Sequence, residues 1–294
     1  MAIQLRNNRL KIEMDEPGEN YRLTRFDWSG KIKQVTLDQE FTFCTTEKPE
    51  LFDHEIHGQG LYNEFGIDMP VGFDDCAVGD YFLKPGVGLL KKTDDTPYCF
   101  FKDYPMKKSD IRYDVSDDRV KFIINPSGYR GYSFRITKDI ILSDNFFEIV
   151  YVFENTGEKR LETNEYCHNF VSINKAFIRD YVLSFPFEID KRKFLEVVNP
   201  EEAIKIEKNS FLLTDQPKDQ FFFSPLVNPV DQLGEWKLIN KKIGTGMKES
   251  ADFVPSKINI WGWKHVISPE LFIKIGIDPG EQTSWKRKFE FFYL

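Results

Sequence analysis

The chain has 294 residues, with 40 Lys+Arg set against 47 Asp+Glu for a formal net charge of −7. Such a chain repels phosphate backbones, and no basic run or Arg-plus-aromatic patch offsets this, so nucleic-acid binding is not expected. The 41 % hydrophobic content supports a sizeable core, 28 Phe favour strands, and no apolar stretch approaches the ~20 residues of a membrane-spanning helix.

From Met1 to Asn20 the chain is polar and mixed in charge, without the basic start, apolar run and small-residue cleavage site of a secretory leader. Cys44, Cys76, Cys99 and Cys167 are scattered, with no Cys-x-x-Cys pair. This pattern predicts reduced thiols in a cytoplasmic protein, while a secreted origin with a trimmed leader stays open. In Asp53-His54-Glu55-Ile56-His57 two histidines stand three apart, just before Gly58-Gln59-Gly60. The spacing is not that of a zinc-binding helix, the glycines mark a loop, and on a strand the two rings would point to opposite faces. With no thiol nearby in sequence, no metal is expected there. Gly86-Val87-Gly88 is too short to cradle phosphate and reads as a close approach within a sheet.

Period-two patterning then dominates. Phe134, Ile136, Ile140 and Leu142 share one side of a strand, with Arg135, Thr137 and Asp139 on the other. After the turn Ser143-Asp144-Asn145, Phe147, Ile149, Tyr151 and Phe153 alternate up to Asn155-Thr156-Gly157, so the pair reads as an antiparallel hairpin. Pro200 to Glu207 is expected to hold a short helix, with Glu201 and Glu202 in its first turn. Ile273, Ile275 and Ile277 alternate before Asp278-Pro279-Gly280, and Trp285, Arg287, Phe289, Phe291 and Tyr293 form a last strand. No solenoid or propeller repeat, low-complexity tract or linker interrupts the chain. Many short strands with regular turn signals predict an all-β protein, a sandwich of large antiparallel sheets in one domain spanning 1–294.

Two segments carry candidate chemistry: Glu162 to Phe170, which delivers His168 between polar and aromatic neighbours, and Trp261 to Glu270. Glu270 follows an apolar stretch, so burial is expected to raise its pKa toward neutrality, as suits a general base. A His or Glu among strands is more often a satisfied structural residue, so these residues alone do not decide between structure and chemistry. No nucleophile elbow, Walker loop or dinucleotide-binding glycine motif is present.

The sequence resembles the galactose mutarotase-like (aldose 1-epimerase) superfamily from about Tyr21 to the C-terminus. The resemblance rests on the strand Tyr132 to Ile136, on Asn155-Thr156, and on His168-Asn169-Phe170. It also rests on Glu270 and on Ile277-Asp278-Pro279-Gly280-Glu281, a layout closest to the hexose-phosphate mutarotase-like branch. Gly58 to Gly66 occupies the place of that family's sugar-contacting glycine-rich loop. The chain departs from the family pattern at Cys167, at Ser268-Pro269, and in the arginines of the phosphate-recognising branch, which have no clean match.

The resemblance implies the galactose mutarotase-like supersandwich and interconversion of α and β anomers of a hexose or related sugar by general acid/base catalysis. It implies no cofactor. Glu270 would be the base and His168 the acid; His57, Glu64, Arg130 and Trp261 would be substrate-binding residues, with Trp261 and Trp263 lying against the apolar face of a sugar ring. His265 is read as structural or interfacial. The expected partner is a small-molecule sugar, with no nucleic acid and no membrane, and a homodimer is left open. The rival reading is a non-catalytic carbohydrate-binding protein on the same fold. A glycan lyase is disfavoured by the acidic charge and the lack of a basic cluster, while a retaining hydrolase would need a carboxylate pair ~5 Å apart that sequence cannot place.

Overall fold

A computed structural model describes residues 2–48, 56–126, 128–200, 202–226 and 232–294. Two antiparallel sheets, each of ten strands among these residues, face one another, and a three-stranded sheet (Tyr81–Lys84, Gly88–Lys91, Met106–Lys108) lies beside them. The first sheet runs in the order Ile3–Arg6, Leu10–Asp15, Lys31–Leu37, Leu61–Phe65, Leu161–Asn169, Val266–Ile277, Lys257–Trp263, Phe221–Ser224 and Glu196–Val198, with Phe41–Thr42 paired off this path. The second contains Phe134–Ser143, Phe146–Asn155 and Gln282–Tyr293 at its centre.

Phe146–Asn155 alternates buried and half-buried residues along its whole length, as expected of a strand with one face toward the core and one toward water. Its inner aromatics meet the first sheet: Phe65 packs edge-on against Tyr151, Phe153 and Trp285, with ring centroids 5.6, 6.0 and 6.1 Å apart. The hairpin Phe134–Ser143 to Phe146–Asn155 forms as expected, paired from Phe134↔Asn155 to Ser143↔Phe146.

Arg287, counted by its period with the core aromatics, is indeed fully buried. Its guanidinium reaches Glu249 (2.6 Å) and Glu165 (2.7 Å) and donates to the carbonyl of Leu271 (2.9 Å), tying strands of both sheets together. A buried charge of this kind persists only because its partners are buried with it.

One expectation is overturned. Ile204–Glu207 is a strand paired with Ser210–Leu213, not a helix, and Glu202 adopts a positive φ of 50°. Ile204 and Ile206 are buried while Lys205 and Glu207 are exposed, so period-two burial outweighs the helix-favouring acidic start. The glycine reading at Gly86-Val87-Gly88 agrees with the structure. A Cβ on Gly88 would stand 2.1 Å from the Lys107 carbonyl oxygen, and one on Gly86 would stand 2.3 Å from Asp27. All four cysteines are free thiols. No helix among the described residues is long and apolar enough to cross a membrane.

Candidate active site

Strand register brings the two candidate groups together. Glu165 pairs with Ile273, and the isolated bridge Val171↔Ile267 keeps the same offset, which sets His168 opposite Glu270 on the adjacent strand. Tyr62 pairs with His168 on one flank, and Asn259 pairs with Glu270 on the other. Tyr62, His168, Glu270 and Asn259 therefore form one row across four strands. Tyr166 and Phe272 form the next row, stacked with centroids 4.3 Å apart. The alternation of Leu161–Asn169 sends Glu165, Cys167 and Asn169 between the sheets and Tyr166 and His168 to the outer face.

On that outer face lies a cavity of about 640 Å³ whose lining includes His168, Glu270, Trp261, Asn259, Arg25 and His57. His168 Nε2 is 3.3 Å from Glu270 Oε1. The imidazole stacks on Phe170, centroids 4.0 Å apart, and meets the edge of Trp261 at 5.6 Å. Pro269 interrupts the ladder here because it has no N–H to donate. Asn169 repairs the gap by donating its side-chain amide to the Pro269 carbonyl (2.6 Å) and its backbone N–H to Ser268 Oγ (3.0 Å).

Burial sets the protonation of the pair. It pushes the Glu270 carboxyl up to about 8, against the opposing pull of Arg25 and the Ser268 hydroxyl. It also holds the His168 imidazole well below its ordinary range, an effect that the Arg25 charge reinforces. At rest the pair is thus a carboxylic acid beside a neutral imidazole, in place of the carboxylate and imidazolium expected from the resemblance. The two groups stand side by side on adjacent strands of one sheet.

Arg25 was not foreseen. It donates to Glu64 (3.0 Å), Glu47 (3.3 Å) and the Tyr166 hydroxyl (3.4 Å), and its guanidinium lies over the rings of Phe26 and Phe100. No local pattern marks it, since its partners come from distant segments. Asn259 had a readable signal: it lies two residues from Trp261, on the same strand face.

The remaining candidates separate. His57 and Trp261 line the cavity. Glu64 does not: it is fully buried, and its carboxylate takes hydrogen bonds from Arg25, Lys84 (3.5 Å) and the Tyr166 hydroxyl (2.6 Å), so it anchors Arg25. Arg130 is displaced altogether, half-exposed in a turn at φ 51° and paired with Asp80 at 2.5 Å, away from the cavity lining. His265 sits in the hairpin turn before Val266–Ile277, its Nε2 2.8 Å from the Thr46 carbonyl. His54 lies outside the described residues.

Solved structures share this architecture over the whole chain. A galactose mutarotase-like protein from Lactobacillus casei superposes with a TM-score of 0.62 at 12 % identity, covering 99 % of this chain and 100 % of its own. A galactose mutarotase-like protein from Clostridium acetobutylicum gives 0.58 at 12 %, covering 100 % and 95 %. This is the galactose mutarotase-like fold. An aldose epimerase homologue from C. elegans shares it at a TM-score of 0.53 and 12 % identity, covering 100 % of this chain and 99 % of that one. No protein-family model matches the sequence, and no curated protein does. At such identities the galactose mutarotase-like fold is what is shared, and function has to be argued from the site.

Proposed function

We propose that this chain is an aldose 1-epimerase-like enzyme, interconverting the α and β anomers of a hexose or related sugar by general acid/base catalysis. The observation that carries the reading is the 3.3 Å approach of His168 Nε2 to Glu270 Oε1 on the floor of a cavity edged by Trp261. Anomer exchange moves two protons at two oxygens bonded to one carbon, so two proton-exchanging groups side by side match the reacting atoms. With the carboxyl protonated and the imidazole neutral, Glu270 donates to the ring oxygen while Nε2 of His168 takes the proton of the anomeric hydroxyl. The C–O bond opens to the aldehyde, leaving a carboxylate beside an imidazolium. Rotation and closure return both protons to where they began, and no cofactor is consumed. Each group contributes roughly 10²–10⁴-fold in such steps. His57, Asn259 and Trp261 would contact the sugar, with the Trp261 ring against its apolar face.

Polarimetry of freshly dissolved α-glucose, α-galactose and their phosphates tests the reading. Wild-type protein is expected to accelerate equilibration of at least one sugar, and His168→Ala and Glu270→Gln to lose that acceleration. Sugar binding without acceleration would favour the carbohydrate-binding alternative, and neither binding nor acceleration would overturn both.

A further inference from the structure

If His168 is to exchange protons through Nε2, its other nitrogen must be occupied, and a third side chain does this. Ser268 is fully buried on the strand face that carries Glu270. Its Oγ accepts the Asn169 backbone N–H at 3.0 Å, lies 2.8 Å from His168 Nδ1, and lies 3.2 Å from Glu270 Oε1. The Asn169 bond uses one lone pair, leaving one lone pair and one proton for the other two groups.

Ser268, His168 and Glu270 thus close a hydrogen-bonded ring that can run in two directions. In one, the hydroxyl donates to Glu270 and accepts from Nδ1–H, so Nε2 is the bare nitrogen facing the carboxyl. In the other, the hydroxyl donates to Nδ1, Nε2 carries the hydrogen, and the carboxyl must keep its own proton to donate to Oγ. In the free protein the Ser268 hydroxyl donates to Glu270 Oε1, which is the first direction, and that direction alone survives once the carboxyl has lost its proton and the imidazole has gained one. An imidazolium cannot accept at Nδ1, and a carboxylate cannot donate to Oγ.

We propose that Ser268 is a positioning residue that holds His168 in its Nδ1–H tautomer and reserves Nε2 for proton exchange at the anomeric centre. The substrate in this statement rests on the epimerase reading, but the tautomer belongs to the free protein. Ser268 stands at a position where the chain departs from the pattern of the family it resembles.

Long-range proton–nitrogen NMR of the full-length protein labelled with ¹⁵N-histidine tests the tautomer, with the His168 signals assigned by their loss in His168→Gln. Wild-type protein is expected to show a protonated Nδ1 and a bare Nε2. Ser268→Ala should shift the ring toward the Nε2–H form, and Ser268→Thr should restore it. In parallel, Ser268→Ala should lower kcat by roughly 10–100-fold with KM little changed, by analogy with the loss of outer partners that orient metal-ligating histidines. An Nε2–H tautomer in wild type, or an unchanged tautomer in Ser268→Ala, would overturn the proposal. If Ser268→Ala does not fold, the wild-type and Ser268→Thr spectra decide it. An Nδ1–H ring in a protein that accelerates no sugar would uphold the tautomer and sink the epimerase reading instead.

Discussion

Glu270 Oε1 and His168 Nε2 stand 3.3 Å apart on neighbouring strands of a single sheet, both turned away from the sandwich interior. Because they share one floor, they share one desolvation, and this drives the carboxyl up and the imidazole down together.

The rate should follow that shared protonation. The acid form of Glu270 persists up to about pH 8, so kcat/KM is expected to hold through neutrality and fall as pH rises beyond that value. The depressed imidazole keeps its base form well below the ordinary histidine range, so the acid limb should lie below pH 6.5. Polarimetric rates across pH 5 to 10 check this. A rate that climbs steadily through pH 8 would mean that an ionised Glu270 is the working base.

The same shift has a thermodynamic signature. Folded Glu270 keeps its proton to about pH 8, whereas in the unfolded chain it loses it near 4.3. Between those values the folded state binds more protons, so this group's contribution falls as pH rises. His168 acts in the opposite sense, but only below its unfolded pKa of about 6.5. Of this pair only the carboxyl acts between pH 6.5 and about 8, and the shifted Lys31 and Lys84 are common to wild type and variant. Glu270→Gln should therefore gain in Tm relative to wild type across that window, by several degrees at roughly 2–4 °C per kcal/mol. Thermal melts that run parallel would contradict the burial argument.

Arg287 is the stability hinge between the sheets. Arg287→Met leaves Glu165 and Glu249 facing each other in the interior without their cation. A loss of about 3–5 kcal/mol is expected, read as a drop in the urea midpoint at unchanged m-value.

Trp261 and Arg130 offer a contrast between a residue on the cavity and one remote from it. Trp261→Ala should raise KM about tenfold, equivalent to roughly 1.4 kcal/mol of lost contact, while kcat changes little. Arg130→Gly should leave both constants unchanged. It removes only an exposed ion pair worth about 0–1 kcal/mol and relieves a positive-φ side chain. An Arg130 variant with a raised KM would return that residue to the site.

The second sheet was legible because water wets one of its faces. Phe146–Asn155 writes its alternation directly into residue type. The central strands of the first sheet are buried on both faces, so Leu61–Phe65 and Val266–Phe272 carry no such rhythm, and in the second of these the polar residues Ser268 and Glu270 mark the site instead of an exterior. His168 and Glu270 could be named from the motif that carries the resemblance. Arg25 could not, since its position beside them depends on Glu64, Glu47 and Tyr166 from three other segments. Glu64, expected to bind substrate, was misplaced for the same reason: its partners Arg25, Lys84 and Tyr166 come from distant segments and hold it inside.

The strand Leu161–Asn169 serves two tasks on alternate residues. Glu165 and Asn169 hold the interior charge network, while Tyr166 and His168 face the cavity. A single-residue insertion there would exchange the two sets, bringing the Cys167 thiol where the imidazole stands and thrusting the imidazole toward the Arg287 cluster. Substitution remains open to this strand, but change of length does not, so an insertion that this chain tolerates is expected in its turns and not between Glu165 and His168.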